Sequence, residues 1–276
     1  MSGKLEPGLY IVATPIGNLS DLSPRAAAIL SSADLIAVED SRVTAKLLGH
    51  IGVKRPMTPY HDHNAERVRP GLVAQMADKA VALVSDAGTP LISDPGYKLV
   101  RDARAAGVPV TTIPGPSAVI AALTLSGLPT DRFAFLGFLP PKSGARAAAI
   151  AEAAAFKGTL VFYESGPRLA ASLAALREGL GDRIAAVARE ISKKFEETVT
   201  GSLCELAERY ADAPPKGEIV IVVGPPSEPA PAAVEEVDAA LREAMTRLSP
   251  SRAAADVAER LGLRRRDVYE RALRLK

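Results

Sequence analysis

The chain has 276 residues, 34 Lys+Arg against 32 Asp+Glu, one cysteine and no tryptophan. Near-neutral overall charge excludes a uniformly basic nucleic-acid coat protein, and the lone Cys204 excludes an internal disulfide framework and fits a reducing compartment. No apolar run approaches the ~18 residues of a membrane span, and MSGKLEPGLY lacks a signal-peptide core, so a soluble cytoplasmic protein is expected.

Taken in order, Leu9 to Ala13 reads as a first strand that breaks at Thr14-Pro15-Ile16-Gly17-Asn18. A helix over 24–31 follows, with Ser23 as cap and Pro24 at its first position. The strand Leu35 to Val38 ends in Glu39-Asp40, and Ser41 to Leu48 reads as a helix. A polar loop, Tyr60-His61-Asp62-His63-Asn64, leads to a helical segment reaching Lys79. Val81 to Val84 is the kind of apolar run that a strand buried on both faces requires. It stops at Ser85-Asp86-Ala87-Gly88, and Pro90, Pro95 and Gly96 follow closely. That density of backbone constraint at a strand's carboxyl end marks a small-molecule loop, the alternative being a tight turn that caps a helix. A helix over 97–106 and a strand over 110–113 then end at Pro114-Gly115-Pro116-Ser117.

The alternation continues with strands over 134–138, 159–163, 184–188, 197–200 and 219–223, a loop over 139–144 and a helix over 146–156. A mostly parallel sheet with its ligand edge at the strand ends is expected. The two α/β domains are placed at 1–117 and 118–225, with the cleft between them as the site. Pro225 to Pro231 reads as a semi-rigid linker. Residues 232–276 form a basic helical module: Val237, Leu241 and Ala244 share one face, Ala254, Val257, Ala258 and Leu261 a second, and Val268, Ala272 and Leu273 a third. Gly262 between the last two helices and arginines at the start of the final one resemble a helix-turn-helix, the alternative being a solvated cap. Eight basic and four acidic side chains from Pro250 to Lys276 give +4, which leaves −2 for the first 249 residues against a total of +2.

Neither G-x-G-x-x-G after the first strand nor G-x-x-x-x-G-K-[ST] is present, which weighs against common dinucleotide and triphosphate sites. The strand-end loops offer turns and carboxylates, suited to a ligand with positive character and an adenosine-like group. His61 and His63 invite a metal, but no third His or Cys lies near them and no metal is expected. Glu39-Asp40-Ser41-Arg42 suits both a helix start and a functional strand end. Lys193-Lys194 and Arg189-Glu190, just past a strand, could be surface charge or a phosphate contact.

Seven blocks occur in order: TPIGNLSDLSPRA, EDSRVTAKLL, SDAGTPLISDPG, PGPSA, FYESGPR, AREISKKFEE and KGEIVIVVG. Together they resemble the tetrapyrrole-methylase superfamily and, more narrowly, its RNA branch, the ribosomal RNA small subunit methyltransferase I family. The likeness runs from about Gly8 to Gly224; Ser41 and Ile191-Ser192 stand where Thr and Leu-Thr are usual, keeping the hydroxyl chemistry. It implies two α/β domains with S-adenosyl-L-methionine folded into the cleft between them. The implied reaction is 2′-O-methylation of cytidine 1402 of 16S ribosomal RNA in the small subunit, by a homodimer. The family's cofactor contacts would fall on Pro15, on Asp86, Ala87 and Gly88, and on Ser93, Ser117 and Ala118. They would continue on Phe162, Tyr163, Ala188, Lys216, Gly217 and Glu218. By their place at strand ends, Glu39, Asp40 and Lys193 are the candidates nearest the reacting hydroxyl. Arg42, His61, Lys142, Arg146, Arg264, Arg265, Arg266 and Lys276 are the candidate RNA contacts. Asp94-Pro95-Gly96 is expected to shape its loop rather than touch the ligand. Two rivals remain: the same fold acting on a tetrapyrrole, and a non-catalytic ribosome-associated RNA-binding protein.

Overall fold

A computed structural model describes residues 4–226 and 234–275. The chain divides into two units, 1–225 and 226–276. The first contains two five-stranded sheets.

The first sheet is built from β1 (Gly8–Val12), β2 (Leu35–Val38), β3 (Met57–Pro59), β4 (Ala80–Val84) and β5 (Val110–Ile113). The order is β3-β2-β4-β1-β5, and every pair is parallel. Period-two alternation along β4 sends its side chains to two separate cores. Val81 and Leu83 pack with Leu72, Leu99 and Ala103 of α3 (Ala65–Gln75) and α4 (Tyr97–Ala105). Ala82 and Val84 face the other way, onto Leu30, Leu47 and Leu48 of α1 (Pro24–Ser32) and α2 (Ser41–His50). Ser23 caps α1 as its sequence predicts, its Oγ accepting from Ala26 N at 3.1 Å. The edge strand β3 has no counterpart in the sequence reading, because three residues ending in proline carry no alternation.

The second sheet runs β6 (Phe133–Phe138), β7 (Thr159–Ser165), β10 (Glu218–Val223), β8 (Ile184–Arg189) and β9 (Glu197–Ser202). Only β6–β7 is parallel; β10 is antiparallel to both β7 and β8, and β8 to β9. The expectation of a mostly parallel arrangement therefore fails here. A seven-residue hairpin tip, 190–196, joins β8 to β9 directly, too short for the crossover a parallel neighbour needs. Leu160, Phe162, Val187 and Ile221 pack on α6 (Ser143–Ala154), α7 (Leu169–Leu180) and α8 (Leu203–Arg209). Val161, Ala186, Ala188 and Val220 pack on Val119, Ala122 and Leu123 of α5 (Ala118–Ser126). Neither α7 nor α8 is anticipated above. Both were legible: Leu169, Leu173 and Leu176 keep helical spacing, and Ser202 with Glu205 forms a capping box.

The second unit is a three-helix module of α9 (Val234–Met245), α10 (Pro250–Leu261) and α11 (Arg265–Arg274). Its core takes Val237, Leu241, Ala244, Ala254, Val257, Ala258, Val268 and Ala272 from the faces the spacing assigns. Leu273, expected on the buried face, is instead 51% exposed. Gly262 closes α10 in the left-handed region at φ 65°. Arg271 Nη2 bonds Asp238 Oδ2 at 2.9 Å, clamping α11 to α9. Of the segment read as a linker, residues 227–231 lie outside the described residues, as does Lys276.

Candidate functional site

Because all strands of the first sheet are parallel, their carboxyl ends share one edge, and the loops leaving them meet there. They are stitched together by backbone. Thr14 N donates to Gly88 O at 2.9 Å, and Gly88 N returns a bond to Thr14 O at 3.1 Å. Asp40 N donates to Asp86 Oδ1 at 3.0 Å, and Thr89 Oγ1 to Pro116 O at 3.0 Å. Gly88 sits at φ 78°, and a Cβ on it would lie 3.3 Å from Ile16. Leu91 and Ser93, at φ 76° and 63°, hold the left-handed region without being glycine. Such strain is typical of ligand loops.

The second sheet supplies the opposite wall. Antiparallel pairing sets Glu218 beside Ser165 and Ile219 beside Arg189, so the start of β10 meets the ends of β7 and β8. Glu190 fixes this corner: its Oε1 accepts from Lys193 Nζ at 2.8 Å and from Glu218 N at 3.0 Å. The Lys193 ammonium also donates to Glu218 Oε2 at 2.8 Å. A register shift between Phe135 and Phe138 brings the Phe138 ring edge-on to Tyr163, 5.5 Å between centroids.

Between the walls lies a cavity of about 430 Å³. Glu39, Asp86, Ala87, Gly88, Ser93, Ser117, Ala118, Tyr163, Gly217 and Glu218 line it, all named from the sequence. Ile16, Thr89, Ile92, Asp94, Phe138, Glu164, Ser165, Ile191, Ile219 and Val220 line it too. Asp94, expected only to shape its loop, is therefore part of the wall. Burial pushes Glu39, Asp86 and Asp94 above the usual carboxylate range, and mutual repulsion adds to it: Asp94 and Asp86 act on Glu39, and Asp86 acts on Asp94. Burial, with Asp94 and Glu218 nearby, lifts the Tyr163 phenol to about 12. Glu164 is fully buried yet satisfied, accepting from Ser172 Oγ at 2.5 Å and Ser165 N at 2.9 Å.

Other sequence-named positions lie off the cavity. Pro15 is buried, and its neighbour Ile16 forms the wall instead. Phe162 points into the helix-covered core because alternation puts it opposite Tyr163, and Ala188 is closed off under α5. Lys216 is exposed, its carbonyl accepting from Arg189 Nη1 at 3.3 Å. Asp40 caps α2 and grips Arg42 at 2.6 Å; the Arg42 guanidinium holds its carboxyl down at about 2. For Lys193, burial acts to lower the ammonium's pKa, but Glu190 and Glu218 outweigh it and leave the pKa raised.

Of the residues named for RNA, Arg42 and Lys142 are exposed, and His61 and Arg146 are half-buried. Buried atoms His61 Nδ1 and Arg146 Nε have no hydrogen-bond partner. In the helical module Arg264, Arg265 and Arg266 are exposed, with Arg264 bonded to Asp267 at 2.9 Å and Arg266 to Glu270 at 3.3 Å. Among the described residues no cluster of three or more His, Cys, Asp or Glu is arranged to hold a metal, and no helix is long and apolar enough to cross a membrane.

Residues 8–207 match the model of the Tetrapyrrole (Corrin/Porphyrin) Methylases, and residues 231–276 match the RsmI C-terminal HTH domain. The chain is 55% identical to ribosomal RNA small subunit methyltransferase I of Erythrobacter litoralis, covering 99% of this chain and 96% of that protein. It is 49% identical to the protein of that name from Mesorhizobium japonicum, over 99% and 93%. Among solved structures it resembles diphthine synthase, with TM-score 0.62 at 16% identity over 78% of this chain and 89% of that one. It also resembles uroporphyrin-III C-methyl transferase from Thermus thermophilus complexed with S-adenyl homocysteine, with TM-score 0.54 at 22% identity over 80% and 97%. At those identities the structures speak for the fold alone.

Proposed function

The chain belongs to the tetrapyrrole methylase family, in its ribosomal RNA small subunit methyltransferase I branch, and on that premise we propose how its cavity serves methyl transfer. It is an S-adenosyl-L-methionine-dependent methyltransferase of small-subunit ribosomal RNA. The finer assignment, to the ribose 2′-hydroxyl of cytidine 1402, is our inference.

The observation that carries this reading is the acidic, apolar-walled cavity between the two sheets. Glu39, Asp86 and Asp94 are carboxylates that burial disfavours as anions, and a cationic ligand relieves that cost. Ile16, Ile92, Ala118 and Phe138 offer apolar contact for a nucleoside base. The residues present thus fit S-adenosylmethionine, which when bound supplies an electrophilic methyl group on sulfur. Of the positions named from sequence, those lining the cavity are the proposed cofactor contacts. On this reading residues 1–117 and 118–225 are the two gripping lobes, and 232–276 is the basic module that adds phosphate contacts.

The chain's own contribution is alignment and proton handling. Holding an acceptor in line is worth ~7–11 kcal/mol in favourable intramolecular cases. Glu39 is the proposed base: it lines the cavity and its carboxyl is raised, whereas Asp40 is held ionised by Arg42 and Lys193 is a cation. We further propose that the enzyme is a cytoplasmic homodimer. Tritiated methyl donor incubated with small subunits from a strain lacking the methyltransferase tests the reaction. Label in alkali-resistant ribose positions supports it, and label on a base or in a porphyrin overturns it.

A further inference from the structure

The hairpin tip between β8 and β9, residues 190–196, presents an aromatic ring that the cavity does not use. Phe195 is 62% exposed. Lys194 Nζ sits over that ring, 5.6 Å from its centroid. The tip is rigid rather than loose. Glu190 and Ser192 hold φ of 50° and 65° without being glycine. Ser192 N donates to Glu196 Oε2 at 2.5 Å, Lys193 N to Glu190 O at 3.0 Å, and Glu196 N to Lys193 O at 3.1 Å. Ser192 Oγ also bonds Asp21 of the first lobe.

The tip stands beside the cavity. Ile16 and Ile191 line the cavity, while their immediate neighbours Gly17 and Ser192 line a shallower cleft with Asn18, Leu19, Lys193 and Lys194. Chain continuity on both walls places that cleft next to the cavity. A Cβ on Gly17 would lie 2.4 Å from Lys193 Cγ, so the two walls meet closely there. A single exposed Phe is ordinary on a protein surface. A strained tip, braced by its own hydrogen bonds, that holds one against a lysine beside an RNA-modifying cavity is not.

We propose that Phe195 is a stacking platform for an unpaired nucleobase of the RNA substrate, flanking the nucleotide in the cavity, with Lys194 reaching its phosphate. Aromatic stacking serves any base, because every base has a π-face, and it suits splayed single strands. This rests on the RNA-methyltransferase reading above.

The test uses the full chain and small subunits from a strain lacking the methyltransferase. Phe195→Ala and Phe195→Leu should raise KM for subunits roughly five- to a hundred-fold. Phe195→Tyr should restore it, and affinity for S-adenosylhomocysteine by calorimetry should not move. The native chain has no tryptophan, so 5-hydroxytryptophan incorporated into Phe195→Trp labels one position, excited to the red of the ordinary tryptophans in the subunit. Its emission should be quenched by subunits and not by S-adenosylhomocysteine. Unchanged KM in Phe195→Ala, full activity in Phe195→Leu, or unquenched emission would overturn the platform while wild-type activity stands. A wild-type enzyme that transfers no methyl to RNA would overturn the assigned reaction instead.

Discussion

Asp40 N donates to Asp86 Oδ1 at 3.0 Å, so the end of β2 is tied to the end of β4 by the carboxylate that lines the cavity. One Asp86 oxygen is a structural acceptor, and the charge on the group is what remains for a ligand. Asp86→Asn keeps an acceptor and removes the charge. It should weaken S-adenosylmethionine binding about ten-fold or more, measured by calorimetry, since charge-assisted bonds are about twice as strong as neutral ones. The ligand-free protein should melt no lower than wild type, because burial already disfavours the anion.

Glu39, Asp86 and Asp94 have folded pKa values above their ordinary 4.5, 3.8 and 3.8. Such groups hold their protons more tightly folded than unfolded. The stability they add is full below the unfolded values and is lost as pH rises through the raised ones. The melting temperature of the ligand-free protein should therefore gain less between pH 4 and 7 than that of Glu39→Gln. The cofactor's cationic centre favours the ionised forms, so its affinity should rise over the same interval. With Glu39 as base, Glu39→Gln should lower single-turnover methylation ~100-fold or more. Retained rate in that variant would remove Glu39 from the chemistry.

Gly166 is held against the chain that leads into the Gly217-Glu218 wall. A Cβ there would lie 1.6 Å from Pro215 O, and backbone cannot yield as a flexible side chain can. Gly166→Ala should lower the urea midpoint by the equivalent of ~1–3 kcal/mol, the range of overpacked cores, and reduce cofactor affinity in parallel. Gly144→Ala, with open space around its Cβ, is the control and should be neutral.

Arg264, Arg265 and Arg266 crowd the start of α11, and two of them are engaged only by exposed acids of the same helix. Exposed pairs of this kind are weak and exchange readily for phosphate. Replacing all three by Ala should flatten the plot of log affinity for RNA against log salt by ~2, at ~0.7 per single-strand phosphate contact. Cofactor binding should be unaffected. An unchanged slope would make the module a cap.

The centre of the first sheet was legible because β2 and β4 are buried along their whole length and advertise it as continuous apolar runs. Val81 to Val84 is such a run. The second sheet misled because antiparallel and parallel strands carry the same local signal; the short tip over 190–196 held the clue to β8–β9 pairing. Within the site, Asp86-Ala87-Gly88 was readable as a Gly/Pro-shaped strand end, whereas Gly217-Glu218, at the start of β10, was named only through the family resemblance. Ile92, Phe138 and Ile191 were not, since an apolar residue at a cavity wall looks in sequence like one in a core.

The sequence by itself determined the family, the two α/β halves, the basic helical module and most of the acidic strand ends that line the cavity. Those are set by local composition and by ordered motifs. Only tertiary structure separated Glu39 from Asp40 and Lys193. All three stand at strand ends, but Asp40 is neutralised by Arg42, and Lys193 is bound between Glu190 and Glu218. Glu39 alone of the three lines the cavity. Solvation and charge pairing depend on neighbours far apart in the chain, and those neighbours are assigned only when the sheets close on one another.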